Sequence, residues 1–116
     1  IILRPHPLDL TLKGNIKKFK LKKIKILKQK FPDKVKLKNI KPIKFCHIDV
    51  NTYRSTKNSY NYVKQKLIKG GFIVFDDYGI FGVEKVTKFV NEIKLKDKKY
   101  FHFINNYMGQ CILIKK

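Results

Sequence analysis

Tryptophan and alanine are absent from this chain, acids are few, and arginine occurs only at Arg4 and Arg54. Eight acidic residues stand against 28 basic ones, giving a net charge of +20 over 116 residues. Nearly all of that charge is lysine, and fourteen lysines with the single acid Asp33 fall between Lys13 and Lys44. A basic strip carrying Phe19, Phe31 and Phe45 could track a nucleic-acid backbone, with steep salt dependence. A dedicated binder would be expected to use arginine, which grips phosphates and bases with two parallel hydrogen bonds. The wealth of Ile, Lys, Asn, Phe and Tyr matches what an AT-rich coding sequence yields, so most of the lysine reads as solvated surface and nucleic acid is not the expected partner. No apolar run approaches the ~18 residues that a membrane-crossing helix needs, so no membrane association is expected. Only Cys46 and Cys111 are available for thiol chemistry, and they show neither CxxC nor zinc spacing. Two buried free thiols in a reducing cytoplasm are therefore expected, not a disulfide. Glycine is also sparse. Gly14 is isolated, Gly70 and Gly71 follow a helical pattern, and Gly79 with Gly82 follows a pair of acids. None forms the glycine-rich loop that lets a backbone approach a nucleotide-like cofactor.

Two stretches carry the most information: KFCHIDVNTYRST at 44 to 56 and KGGFIVFDDYG at 69 to 79. Each reads as a buried strand that ends abruptly in acid. Between them, Tyr60, Val63 and Leu67 repeat at helical spacing, Ser55 or Thr56 can serve as N-cap, and Lys66 with Lys69 suits the negative end of the dipole. Gly70 and Gly71 are expected to close that helix as its C-cap. Strand, helix, strand is the parallel α/β unit, and its ligands sit beyond the carboxyl ends of the strands. Sequential strands are usually neighbours, so Asp49 should lie roughly 5 Å across the sheet from Asp76 and Asp77. Three carboxylates in one place repel unless a cation, a proton or a basic side chain neutralises them, and an all-oxygen set suits a hard ion such as Mg²⁺. On spacing alone, the same aspartates could simply end strands and cap turns.

The string HIDVNTYRSTKNSYNYVKQKLIKGGFIVFDDYGIFGVEKVTKFVNEI strongly resembles the TylF-like macrocin O-methyltransferase family. KQKFPDKV at 28 to 35 and GQCILIKK at 109 to 116 resemble the segment before that family's core and its terminal strand. The resemblance implies a class I, S-adenosyl-L-methionine-dependent enzyme that methylates a hydroxyl of a small molecule, typically a sugar of a glycosylated natural product, with help from Mg²⁺. Asp49, Asp76 and Asp77 match the family's metal-holding acids. Asn51 stands where relatives have the acid proposed as general base, and an amide cannot take a proton at physiological pH. Another group or metal-bound hydroxide would then do that work, or activity is weak, or the acceptor is already acidic; His47, two residues before Asp49 and so on the same face of the strand, could substitute, although an imidazole in a run such as FCHI also suits a packed core. Because the chain begins at Ile1 and lacks the glycine loop, residues 1 to 116 are expected to be the C-terminal part of a single methyltransferase domain, without its cofactor-binding half. A degenerate, non-catalytic methyltransferase-like subunit is a further reading, beside the basic nucleic-acid module.

The expected fold class is α/β: a partial class I, Rossmann-like sheet of parallel strands closed by an antiparallel hairpin. Residues 1 to 12 look irregular, and the spacing of apolar residues from 16 to 27 predicts a short helix and then a strand at about 23 to 28. Val83, Val86, Phe89, Val90 and Ile93 mark a second amphipathic helix with Lys94 and Lys96 near its end. YFHFI and QCILI read as the hairpin, with Asn105, Asn106 and Gly109 supplying its turn. Without the first strands of the class I sheet an apolar edge would stand open, which predicts instability or pairing into a homo-oligomer. Tyr53 and Tyr78 flank the acids and suit either substrate contact or plain packing.

Overall fold

The computed structural model describes residues 2–3, 9–20, 22, 31 and 41–116. The strand expected at 23 to 28 lies outside them, as does most of the connection bracketed by Pro32 and Pro42. Five strands form one sheet in the order β1-β2-β3-β5-β4: β1 (Ile2–Leu3), β2 (Ile43–Ile48), β3 (Leu67–Phe75), β4 (Phe101–Asn106) and β5 (Gln110–Lys115). The first three are mutually parallel, and β5 runs antiparallel to both β3 and β4. Parallel strands closed by a terminal hairpin are the architecture expected from the sequence. The N-terminal segment differs from expectation. It is not irregular throughout, since β1 pairs with His47 and Ile48 and helix α1 (Asp9–Lys18) already begins at Asp9. The sheet edge beside β2 therefore has short cover at its carboxyl end.

Helix α2 (Tyr53–Lys66) forms because Thr52, in extended backbone, turns its hydroxyl oxygen to accept the Ser55 N–H at 3.2 Å. Thr52, and not Ser55 or Thr56, is the N-cap. Ser55 and Thr56 already lie inside the helix, and the Thr56 hydroxyl donates back to the Thr52 carbonyl at 2.8 Å. The expected glycine C-cap is also corrected. α2 ends at Lys66, and Leu67 turns straight into extended backbone while still donating its N–H to the Val63 carbonyl. Gly70 and Gly71 lie within β3 at a bulge, where Ile43 pairs with Leu67 but Phe45 pairs with Phe72. Two residue steps on β2 thus face five on β3. Gly70 has φ 71°, and a Cβ on Gly71 would fall 2.9 Å from the Ile68 carbonyl oxygen and 3.0 Å from that of Lys44. Glycine is used here for close backbone approach, and it resets the register so that β2 and β3 end level.

Helix α3 (Glu84–Lys96) buries Val86, Phe89, Val90 and Ile93, as its periodicity predicts. Tyr60 and Val63 of α2 join them against Cys46, Ile48, Ile73, Phe75, Phe101, Cys111 and Leu113 of the sheet. Both helices therefore cover one face. Burial of each large apolar side chain contributes about 1.5–3 kcal/mol, and this layer holds the helices on the sheet. Tyr60, Phe75, Phe89 and Phe101 form its aromatic centre, with Tyr60 lying 5.6 Å from Phe89 and 6.0 Å from Phe75 between ring centroids. On the opposite face, Phe45 and Phe72 pack with tilted rings, their centroids 5.0 Å apart, and are more than a third exposed. The hairpin turn itself is Tyr107 to Gly109, so Asn105 and Asn106 belong to β4 and not to the turn as expected. Asn106 still shapes the turn, since its side-chain oxygen accepts the N–H groups of Met108 and Gln110.

Candidate active site at the carboxyl edge of the sheet

Ile48 and Phe75 are register partners at the ends of β2 and β3, and the next residue on each strand is an aspartate. The Asp76 N–H donates to the Ile48 carbonyl at 3.0 Å, which carries the pairing one residue beyond β3 and fixes Asp76 beside Asp49. Asp77 comes next, in left-handed backbone at φ 59°, where Asp is among the few residues tolerated. Its carboxyl is pushed above the usual carboxylate range, first by burial, then by the charge of Asp76, then by that of Asp49. The structure thus brings all three acids into one electrostatic neighbourhood.

Asp76 is held from two sides. One oxygen accepts from Gln110 Nε2 at 3.3 Å, and the other lies 3.6 Å from His47 Nε2. His47 is half-buried on the sheet face opposite α2 and α3, so it borders the acids and does not fill the helical core. Asn51 is exposed in the short link from β2 to α2, one residue before the Thr52 cap. Both cysteines are free and buried, and burial pushes the Cys46 thiol up to about 12 and the Cys111 thiol to about 11. They are packing groups.

The loop after Asp77 is pinned from several sides. The Tyr78 N–H donates to the Gly109 carbonyl at 2.8 Å, and the Gly79 N–H to the Thr87 hydroxyl at 2.8 Å. Tyr78 donates its hydroxyl proton to Asn91 Oδ1 at 2.9 Å and accepts from Lys94 Nζ at 2.6 Å. The same ammonium sits 4.2 Å from the Tyr78 ring centroid and donates to Asn105 Oδ1. Tyr53 packs edge-on to Phe89 and donates to Glu92 Oε2 at 2.5 Å. Within the chain, then, the two tyrosines that flank the acids both brace α3. An open groove of about 490 Å³ runs beside this loop, lined by Ile80, Phe81, Thr87, Lys88 and Asn91 among others. It contains none of the three aspartates.

Three carboxylates at a sheet's carboxyl edge are a chemically suitable donor set for a hard divalent cation. Among the described residues, however, no group of three His, Cys, Asp or Glu side chains is arranged as a ready metal shell. Asp76 turns one oxygen toward Gln110 and the other toward His47, and an ionised carboxylate has about four lone-pair sites, so these two contacts still leave room for a cation.

The sequence profile of the macrocin O-methyltransferase (TylF) family matches residues 9–106. The chain belongs to that family. No curated protein sequence matches it. Among solved structures it is similar to the O-methyltransferase NovP, with a TM-score of 0.77 at 18% identity over 93% of this chain and 45% of NovP. A candidate caffeoyl-CoA O-methyltransferase from Staphylococcus aureus aligns with a TM-score of 0.73 at 17% identity, covering 99% of this chain and 63% of that one. A candidate methyltransferase from Streptococcus mutans, in complex with SAH, aligns with a TM-score of 0.72 at 14% identity over 99% of this chain and 75% of that one. At such identities the likeness is one of fold, and the fold is that of class I methyltransferases. The chain spans less than two thirds of the length of the first two.

Asp49, Asp76, Asp77 and His47, singled out from sequence, do converge, while Asn51 stays at the margin. Gln110 escaped the sequence reading. Its signal was the start of QCILI: a strand antiparallel to β3 must begin where β3 ends, which places its first residue against the acid just after Phe75.

Proposed function

We propose that the protein carrying this chain is an S-adenosylmethionine-dependent O-methyltransferase that acts on a hydroxyl of a small molecule, a sugar or glycosylated compound, with Mg²⁺ held by Asp49, Asp76 and Asp77. The observation that carries this reading is the meeting of the three carboxylates at the ends of adjacent parallel strands, where Asp77 feels both of the other charges. Methyl transfer needs the acceptor oxygen stripped of its proton and aligned with the methyl group. Bound Mg²⁺ would lower the energy needed for that deprotonation. The chain's own part is to hold the acids at one edge and to keep the loop after them rigid through Tyr78, Thr87 and Gly109. Asn51 cannot take the proton, so we assign that role to His47, whose imidazole lies beside Asp76. An Asn51→Asp substitution then adds a second base and should raise kcat.

With no glycine-rich loop in these residues, we place most of the S-adenosylmethionine pocket in polypeptide beyond them, as the 45% coverage of NovP suggests. The two reduced, buried thiols suit a reducing compartment such as the cytoplasm. No helix among the described residues is long and apolar enough to cross a membrane.

The test is transfer of labelled methyl from S-adenosylmethionine to a panel of sugar-bearing acceptors by the full-length protein, with and without Mg²⁺. Transfer that needs Mg²⁺ and disappears in Asp76→Ala supports the proposal. Full turnover in excess chelator would remove the metal from it. Failure of the full-length protein to bind S-adenosylmethionine at all would identify a non-catalytic subunit.

A further inference from the structure

We propose that Gln110 is the positioning residue for Asp76, and that the terminal hairpin is thereby a working part of the acid site and not only the last strands of the sheet. The inference rests on the proposed function, in which Asp76 serves methyl transfer.

Hydrogen-bond chemistry fixes which atoms meet. Backbone N–H groups only donate, and two of them, from Met108 at 3.1 Å and Gln110 at 2.9 Å, point at one side-chain atom of Asn106. That atom must be the oxygen Oδ1. The Asn106 NH₂ group is then the one left facing Gln110, and it donates to Oε1 at 2.9 Å. Gln110 Oε1 is thereby engaged, so its NH₂ group is what meets Asp76 Oδ1 at 3.3 Å. A glutamine turned the other way would aim a carbonyl oxygen at a carboxylate and repel it.

Two backbone donors thus orient Asn106, Asn106 orients Gln110, and Gln110 orients the acid. The hairpin is also clamped where this relay runs. Gly109, at φ 77°, gives its carbonyl to the Tyr78 N–H, and a Cβ at Gly109 would fall 2.6 Å from Ile80 Cδ1. The β4–β5 turn and the loop after the acids are tied together at that point. Outer groups that orient a metal-holding or reacting carboxylate typically matter by about 10–100-fold in affinity or rate.

The test uses the full-length protein and two variants. Gln110→Met keeps length and removes the donor. Asn106→Asp keeps the oxygen that accepts both backbone N–H groups but removes the NH₂ that fixes Gln110. Both should lower kcat about tenfold, leave KM for the acceptor and the thermal midpoint nearly unchanged, and weaken Mn²⁺ binding, monitored by electron paramagnetic resonance without cofactor or acceptor, by a similar factor. Unchanged kcat and unchanged Mn²⁺ affinity in both variants would overturn the proposal. So would losses that track a falling thermal midpoint and a rising KM, because those mark damage to the fold. A third measurement needs neither methyl transfer nor metal: in the metal-free protein, Asp76→Asn should shift the Gln110 side-chain NH₂ resonances. That shift in a protein that transfers no methyl group would mean the functional reading had failed while the positioning stood; its absence overturns the positioning itself.

Discussion

Asp97, at the end of α3, and Asp77, just past β3, have surroundings that push them in opposite directions. Asp97 is almost buried, and burial by itself would raise its pKa. Hydrogen bonds from Lys64 Nζ at 2.8 Å and the Tyr60 hydroxyl at 2.6 Å, with the charges of Lys64 and Lys96, outweigh burial and hold the carboxyl below the usual range. Asp77 has burial and two like charges acting together, and its pKa rises. A chain with 28 basic residues could have placed a lysine against every acid. It pairs the acid that ties α2 to α3 and crowds the acids at the carboxyl edge. Stripping one partner from a largely buried pair is costly to a fold, whereas crowded like charge is tolerated where a site has use for it.

The largest effect that separates the two regions should come from Asp76→Ala. Methyl transfer by the full-length protein should fall by about 10²–10³-fold, the size of losing one electrostatic anchor in an active site, while the thermal midpoint stays close to the parent's. A matching collapse of stability would mean that Asp76 belongs with Asp97.

Next in size is Asp97→Asn. Loss of two charge-assisted hydrogen bonds should destabilise the chain by about 1.5–3 kcal/mol, read by urea unfolding, with turnover per folded molecule retained. Because the folded-state pKa of Asp97 is depressed, its contribution is present above the ordinary carboxylate value of 3.8 and is lost as pH falls through the lowered folded value. The gap between parent and variant should therefore persist at neutral pH and close only in strong acid. A gap that closed while the pH was still well above 3.8 would contradict the assignment.

The smallest effect is expected at Asp77→Asn in the metal-free chain. Here the folded pKa is raised, so the stabilising contribution is present below 3.8 and lost as pH rises through the folded value. At neutral pH, removing the charge should stabilise, by a few tenths of a kcal/mol after solvent screening, and Asn suits the positive φ at this position. The opposite signs expected for two Asp→Asn changes, measured side by side by urea unfolding, are the sharpest form of the comparison.

The acid-tipped strands, the α3 face and the closing hairpin were legible because each depends on a local period of 2 or 3.6 residues and on the residues just after it in the chain. The meeting of Asp49 with Asp76 and Asp77 could be deduced from topology alone. Caps and turns were less legible, since several neighbouring residues offered the same chemistry. Thr52, Ser55 and Thr56 can all cap a helix, and only the backbone angle at Thr52 decides among them. Gly70 and Gly71 could end a helix or make a bulge, and the choice depended on Leu67 finding a partner in Ile43 across the sheet. Gln110 was hidden for the same reason: its role exists only across the β3–β5 register.

The most direct measurement is paramagnetic broadening of assigned amide resonances as Mn²⁺ is added to stoichiometry. If the carboxyl edge is built to hold a divalent cation, the amides of Asp49, Asp76 and Asp77 broaden first and together, and Asp76→Asn abolishes the effect. Broadening centred on Asp97 or Glu84, or spread evenly over the acids, would contradict the account.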